Sequence, residues 1–185
     1  MDVEGLRHGY SESNVERNGI IAHRKLKCKP NMLITRRLEF DSGHRIPNHE
    51  SQCRHLHGHR YAIEVTLSGE IIETEGAPDQ GMVMDYSYVK HIAQKELVDL
   101  WDHAFLVYKN DHAVLDFLKS MPGHKTVVLD VIPTAENLAL AAFGILDAAY
   151  ARKGLRLARV RLYETPNNWA DAIKNNIDFR DPFVI

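Results

Sequence analysis

Histidine is the residue type that stands out in this 185-residue chain, with 11 copies. Imidazole is the commonest metal ligand and is costly to bury neutral without a partner. Five histidines lie between residues 44 and 59: His44, His49, and then His55, His57 and His59 in the run Cys53-Arg54-His55-Leu56-His57-Gly58-His59. If the strand that follows begins near His57, then His57 and His59 project to one side of it. A strand ending at His44 could pair with it as a hairpin and bring a third imidazole. Three neutral histidines and an open position make a catalytic zinc site, whereas a structural site uses four ligands and favours thiolates. Only two cysteines are present, Cys28 and Cys53. His49 and His55 remain spare, and periodicity alone does not exclude His55. For any single histidine a solvated loop position is the ordinary explanation; the clustering argues against it for the set. Cys53 lies four residues before His57, where it could serve as a fourth ligand, or as a nucleophile or base whose thiolate nearby positive charge favours.

Two further pairs carry chemistry more weakly. Asp102-His103 joins a carboxylate to an imidazole that it could orient or help to relay protons, although Asp111-His112 repeats the same dipeptide in this chain. Glu164-Thr165 ends a strand-like run, and a buried carboxylate there would suit a planar amidine-like edge.

The elements that must position these groups follow from periodicity. Leu33–Phe40 reads as a first strand, and residues 41–60, polar and interrupted by Pro47 and Gly58, as a long functional loop. Tyr61, Ile63, Val65 and Leu67 alternate with Ala62, Glu64, Thr66 and Ser68, a half-buried strand. Residues 73–80 are turn-rich. Between Asp85 and Leu100 the apolar spacing becomes helical. Asp111–Leu118 suggests a short helical turn and Thr126–Asp130 a brief strand. Pro133-Thr134 opens a second helix, with Thr134 as N-cap, Glu136 near its positive end, Leu138, Ala141, Ala142, Ile145 and Ala149 inward, and Gly154 as terminator. Ala158, Val160 and Leu162 mark a last strand. The expectation is an α+β fold: a four-stranded antiparallel sheet with two main helices on one face. Its open edges could be protected by pairing between subunits. Residues 1–31 show no periodicity and are expected to be a flexible N-terminal extension, with 32–185 a single domain.

Composition narrows the field. Hydrophobic residues at 44% and charged residues at 26% fit a folded globular domain. Lys+Arg of 23 against Asp+Glu of 25 gives a net charge of -2, which offers nucleic acid no basic field. The longest apolar run, Leu138 to Tyr150, is about half a membrane span and contains Asp147, so no membrane segment is expected. The first 31 residues lack the apolar block of a secretory signal, and a cytoplasmic location is expected.

The motifs FDSGHR (40–45), CRHLHGHRY (53–61), GMVMDY (81–86), WDH (101–103), PTAENLA (133–139) and YET (163–165), taken together, resemble the 6-pyruvoyltetrahydropterin synthase / 6-carboxytetrahydropterin synthase family. The resemblance runs from Leu33 to about Ile173. The spacing from Cys53 to His57 is similar to that of the bacterial queuosine-pathway branch; the animal biopterin-pathway enzymes typically have a longer gap. The resemblance implies a tunnelling fold (T-fold), in which protomers join their sheets into a barrel, commonly as a dimer of trimers. It implies Zn2+ on His44, His57 and His59, and proton transfer by Cys53 with the Asp102-His103 pair, which a neighbouring subunit can supply. It gives Glu164, with Thr165 close by, the amino-pyrimidine edge of a pterin, and sets Thr134 and Glu136 near the pterin pocket. The implied reaction is zinc-dependent lysis of 7,8-dihydroneopterin triphosphate to 6-carboxy-5,6,7,8-tetrahydropterin, with loss of acetaldehyde and triphosphate. The biopterin branch would instead keep the side chain as 6-pyruvoyl-tetrahydropterin. Ala104 after the Asp-His pair, Gly43 before His44 and Arg60 after His59 depart from commoner family residues; Arg60 bears on the pocket rim. Two other readings compete: a zinc hydrolase, which would not need Cys53, and a non-enzymatic metal-binding module, which would also use His49 and His55.

Overall fold

The computed structural model describes residues 31–174. The extension expected over residues 1–31 therefore lies outside the described residues except for Asn31.

Six strands form one sheet in the order β4-β3-β1-β2-β5-β6. β1 (Met32–His44) and β2 (His57–Gly69) are antiparallel partners over their full 13 residues, from Met32↔Gly69 to His44↔His57. β2 pairs antiparallel with β5 (Arg156–Thr165), and β5 with β6 (Asn168–Ile173). On the other side β1 pairs in parallel with β3 (Ala104–Tyr108), and β3 in parallel with β4 (Thr126–Leu129). The fold is α+β as expected, with six strands rather than four and a mixed sheet rather than a purely antiparallel one. β3 and β6 are the additions. Residues 41–60 are also less of a loop than expected: 41–44 and 57–60 extend the two central strands, leaving 45–56 as the connection. Ser42, His44, His57 and His59 continue the two-residue alternation with polar side chains, so the hydrophobic period stops before the strand does.

Alternation puts Leu38 and Phe40 of β1 and Tyr61, Ile63, Val65 and Leu67 of β2 on one face, where all are buried. Helices cover that face. α1 (Tyr86–Ala93) is capped by Asp85, whose Oδ1 accepts from Ser87 N at 2.6 Å. It continues through a π turn, Gln94–Val98, into the short α2 (Asp99–Trp101), which buries Trp101. After α3 (His112–Lys119), α4 (Ala135–Ala151) begins at the expected cap, Thr134, which accepts from Asn137 N at 3.3 Å. Gly154, at φ 73°, stands in the left-handed region just past its end. The buried stripe of α4 is Leu138, Ala139, Ala142, Leu146, Ala149 and Tyr150. Of the inward set expected, Ala141 is only partly buried and Ile145 is 36% exposed, because the stripe follows i, i+4 steps from Leu138 and leaves 141 and 145 at its border.

Candidate active site

The full-length register of β1 against β2 builds the first cluster. His44 lies directly opposite His57, and Ser42 opposite His59. All four side chains stand on the helix-covered face, where the apolar stripe runs out. The ring centroids are 4.5 Å apart for His44–His57, 5.1 Å for His44–His59 and 5.0 Å for His57–His59. One ligand nitrogen from each lies within 4.8 Å of the others, a spacing that one ion can bridge.

Two backbone carbonyls orient the rings. His44 Nδ1 is 2.7 Å from Pro133 O, and His57 Nδ1 is 2.8 Å from His55 O. A carbonyl only accepts, so each Nδ1 carries the proton and each Nε2 presents a lone pair. His44 is wholly buried, and its Nε2 has no hydrogen-bond partner among the described residues. Leaving a buried polar atom unpaired costs about 1–3 kcal/mol, which a metal ion at that nitrogen would offset. Burial drives the His44 pKa down to about 4, and the neighbouring His57 and His59 add to the effect, against the Pro133 hydrogen bond. Burial likewise lowers that of His59, opposed by Glu164. Neutral imidazoles are what a divalent cation requires. The donor set therefore fits zinc.

Glu164, on β5, lies beside this cluster, with Oε1 3.6 Å from His44 Nε2 and 3.9 Å from His59 Nε2. Thr165 Oγ1 accepts from Asn167 N at 3.3 Å and Asn168 N at 3.1 Å, which closes the β5–β6 turn and fixes the end of the strand that carries Glu164. Pro133, Thr134 and Glu136 open α4, so the carbonyl that orients His44 and the cap of the helix are neighbours in sequence. Glu136 is exposed on the first turn.

Cys53 sits half-buried in a one-turn 3-10 helix, Gln52–Arg54. Its carbonyl accepts from Ile46 N at 2.8 Å, which folds the 45–56 connection back to within two residues of His44. Cys53 belongs to neither cluster of ligand atoms. His55 contributes its carbonyl, and His49 Nδ1 accepts from Ser51 N at 3.1 Å.

The second cluster is Asp41, Asp102 and His103. His103 Nδ1 is 2.8 Å from Asp102 Oδ2, and Asp102 Oδ1 accepts from Asp41 N at 3.0 Å. The Asp41 amide, with help from His103, holds the Asp102 carboxyl below its usual range. His103 N donates to Asp41 O at 2.7 Å, and His103 adopts φ 57°, a left-handed conformation rare outside glycine. Ser42 Oγ shares its proton between Trp101 O at 3.0 Å and Ala104 O at 2.8 Å, bracketing the pair. The His103 side chain is 77% exposed. Asp41 alternates with Ser42 and so points away from the face that bears the three histidines. The two clusters share no ligand residue, although His59 and His103 line one hollow.

Two hollows meet at Gly58, His59 and Arg60. One, of about 510 Å³, is also lined by Asp41, Gly43 and His103; the other, of about 360 Å³, by Glu164 and Thr165. Gly43 faces Gly58 across the ladder, and a Cβ on Gly43 would come within 2.6 Å of Phe105 Cδ2. Arg60 pairs with Glu39 at 3.0 Å and Asp41 at 3.3 Å on the rim. Periodicity did not single out the Pro133 and His55 carbonyls or Asp41. Backbone acceptors leave no mark in residue type, and Asp41 had only its place in the FDSGHR motif.

The family model described as 6-pyruvoyl tetrahydropterin synthase matches residues 33–175. A Rickettsia bellii protein named 6-carboxy-5,6,7,8-tetrahydropterin synthase is 34% identical over 134 residues, 72% of this chain and 94% of that protein. A Haemophilus influenzae protein of the same name is 30% identical over 141 residues, 75% and 96%. Among solved structures, 6-pyruvoyl tetrahydropterin synthase of Caenorhabditis elegans aligns with TM-score 0.55 at 25% identity, over 79% of this chain and 97% of that one. An uncharacterized Wolinella succinogenes protein shares the fold, with TM-score 0.65 at 21% identity over 79% of this chain and 99% of its own. The architecture is thus the T-fold. With the histidine triad, the Asp-His pair and Glu164 all inside the matched span, the chain belongs to the 6-pyruvoyl tetrahydropterin synthase family.

Proposed function

We propose that the protein is a zinc-dependent lyase that converts 7,8-dihydroneopterin triphosphate to 6-carboxy-5,6,7,8-tetrahydropterin, acetaldehyde and triphosphate, with consumption of water. The observation that carries this reading is the triad of His44, His57 and His59, with two Nδ1 atoms tied to carbonyls and the buried Nε2 of His44 unpaired. The names of the Rickettsia and Haemophilus relatives favour the carboxy product.

The three histidines would hold Zn2+, which when bound supplies Lewis-acid polarisation of the substrate's side-chain oxygens. Cys53, on the turn that folds back to the end of β1, takes a side-chain proton as thiolate. His103, held by the ionised Asp102, passes protons on. The resemblance allows a neighbouring subunit to supply that pair, as in a dimer of trimers, and its exposed imidazole leaves it open to such a contact. Glu164, with Thr165 holding the β5 terminus in place, would grip the amino-pyrimidine edge of the pterin. Glu136, on the first turn of the helix whose entry orients His44, and its cap Thr134 would lie near the pterin pocket. These contacts act by orientation, keeping the reacting atoms within reach.

Incubation of the zinc-loaded protein with 7,8-dihydroneopterin triphosphate, followed by product mass and acetaldehyde assay, tests the reading. The carboxy product with acetaldehyde is expected. A pyruvoyl product without acetaldehyde would move the protein to the biopterin-type reaction, and no turnover would overturn the lyase reading.

A further inference from the structure

The His103 side chain is 77% exposed, so packing does not set the direction of its ring. The backbone sets it, through the peptide unit that joins Asp102 to His103. Asp102 leaves the end of α2 with φ -62° and ψ 130°, and His103 follows at φ 57°. In a trans peptide the carbonyl and the amide point to opposite sides. On one side, the His103 amide donates to Asp41 O of β1 at 2.7 Å. On the other, the Asp102 carbonyl accepts from Lys125 Nζ at 2.6 Å. The same ammonium donates to Asp99 O at 2.7 Å. A lysine on the last carbonyls of a helix is an ordinary cap, and Asp99 O fits that description. Asp102 O does not: with ψ at 130° its carbonyl has turned out of the helical direction. Lys125 is itself held by the sheet. Its carbonyl accepts from Phe105 N at 3.0 Å, and the next residue, Thr126, pairs with Phe105 where β4 meets β3. β3 begins at Ala104, directly after His103.

We propose that Lys125 is a positioning residue for the Asp102-His103 pair, its ammonium holding the carbonyl side of the peptide that joins them while Asp41 holds the amide side. The inference rests on the lyase reading, in which His103 passes protons, and deepens it. A peptide gripped on both sides resists rotation, which keeps His103 at its positive φ and its Nδ1 on the Asp102 carboxylate. Without the ammonium, the unit is free to turn toward the negative φ that side-chain-bearing residues prefer, and the imidazole leaves the carboxylate. Lys125 acts through the backbone and does not touch the reacting atoms.

Lys125→Met removes the charge and the donors and keeps an unbranched stem, and Lys125→Arg restores donors. Hydrogen exchange at the His103 amide and steady-state kinetics of the zinc-loaded proteins test the proposal. Lys125 is exposed, so both variants are expected to fold and to hold metal as wild type does. In Lys125→Met the His103 amide is expected to exchange at least about 5-fold faster, the factor that one hydrogen bond of ordinary net strength represents. The Phe105 amide, bonded to the Lys125 carbonyl, is expected to keep its rate. kcat is expected to fall by about 10-fold to 100-fold, the scale of a small misplacement, with KM unchanged. Lys125→Arg is expected to recover slow exchange at His103 and most of kcat. Wild-type exchange or wild-type kcat in Lys125→Met, faster exchange shared by Phe105, or a Lys125→Arg variant no better than Lys125→Met overturns the proposal and leaves the lyase reading standing. Selective exchange at His103 in Lys125→Met, in a protein whose wild type does not turn over the pterin, upholds the Lys125 grip and overturns the lyase reading instead.

Discussion

At the level of single residues, the clustered side chains are held by backbone and carboxylate partners. His103 is the sharpest case, because its φ of 57° costs a side-chain-bearing residue about 1–2 kcal/mol. The cost is carried by the Asp41 carbonyl on its amide and by the Asp102 carboxylate on its ring. His103→Gly is therefore expected to lose activity while unfolding within about 1 kcal/mol of wild type, whereas the β-branched His103→Val loses activity and at least about 1 kcal/mol of stability. Denaturant melts of the two variants check this; equal stabilities would contradict it. Cys53→Ala is expected to keep its metal and fold and to lose turnover, and a wild-type rate would remove the thiol from the mechanism. The histidine run and Cys53 stand out in the sequence by residue type and spacing, whereas the choice of His44, His57 and His59 among the histidines and the roles of Cys53, Asp102 and His103 rest on the family resemblance. The placement of Glu164 against the triad was not legible in the sequence, since it depends on a ladder between strands about a hundred residues apart.

At the level of elements, the β1–β2 ladder does the positioning. A two-residue period made of apolar side chains reveals strands to sequence reasoning; where the alternating residues become Ser42, His44, His57 and His59, that signal ends although the hydrogen bonding continues. β3 escaped as five residues of unbroken apolar run, and β6 because Asn168–Ile173 carries one buried side chain, Ala172. Two predictions belong here. A Cβ on Gly58 would meet Ser42 O at 3.0 Å, a backbone atom that cannot swing aside. Gly58→Ala is thus expected to cost about 1–3 kcal/mol and to weaken metal binding, and unchanged metal affinity in a titration would contradict it. The connection after β1 is pinned by Arg45, whose Nε donates to the buried Asp111 Oδ2 at 2.6 Å while Nη2 meets Oδ1. Asp111→Asn is expected to cost about 2 kcal/mol. The Arg45 hydrogen bond holds the Asp111 pKa below its ordinary 3.8. The native state therefore binds this proton less readily than the unfolded chain, and stability rises with pH across the interval. The difference between wild type and Asp111→Asn should be constant above pH 3.8 and shrink as acid carries the pH down through the folded value. A difference that does not fall in acid would exclude the ion pair as its source.

For the whole molecule, the described residues hold a histidine triad and, as a separate group of ligand atoms, an Asp-His pair with Asp41. Sequence periodicity cannot show this division, because it says which face a residue takes on its own strand and nothing about a second chain. Among the described residues no helix is long and apolar enough to cross a membrane. The proposal that three imidazoles share one divalent ion is tested most directly by the metal content of purified wild-type and His57→Ala protein alongside their turnover. One zinc per chain with activity in the wild type, and joint loss of both in His57→Ala, is the predicted result. Full turnover by metal-free protein, or a His57→Ala variant that keeps its zinc, would contradict it.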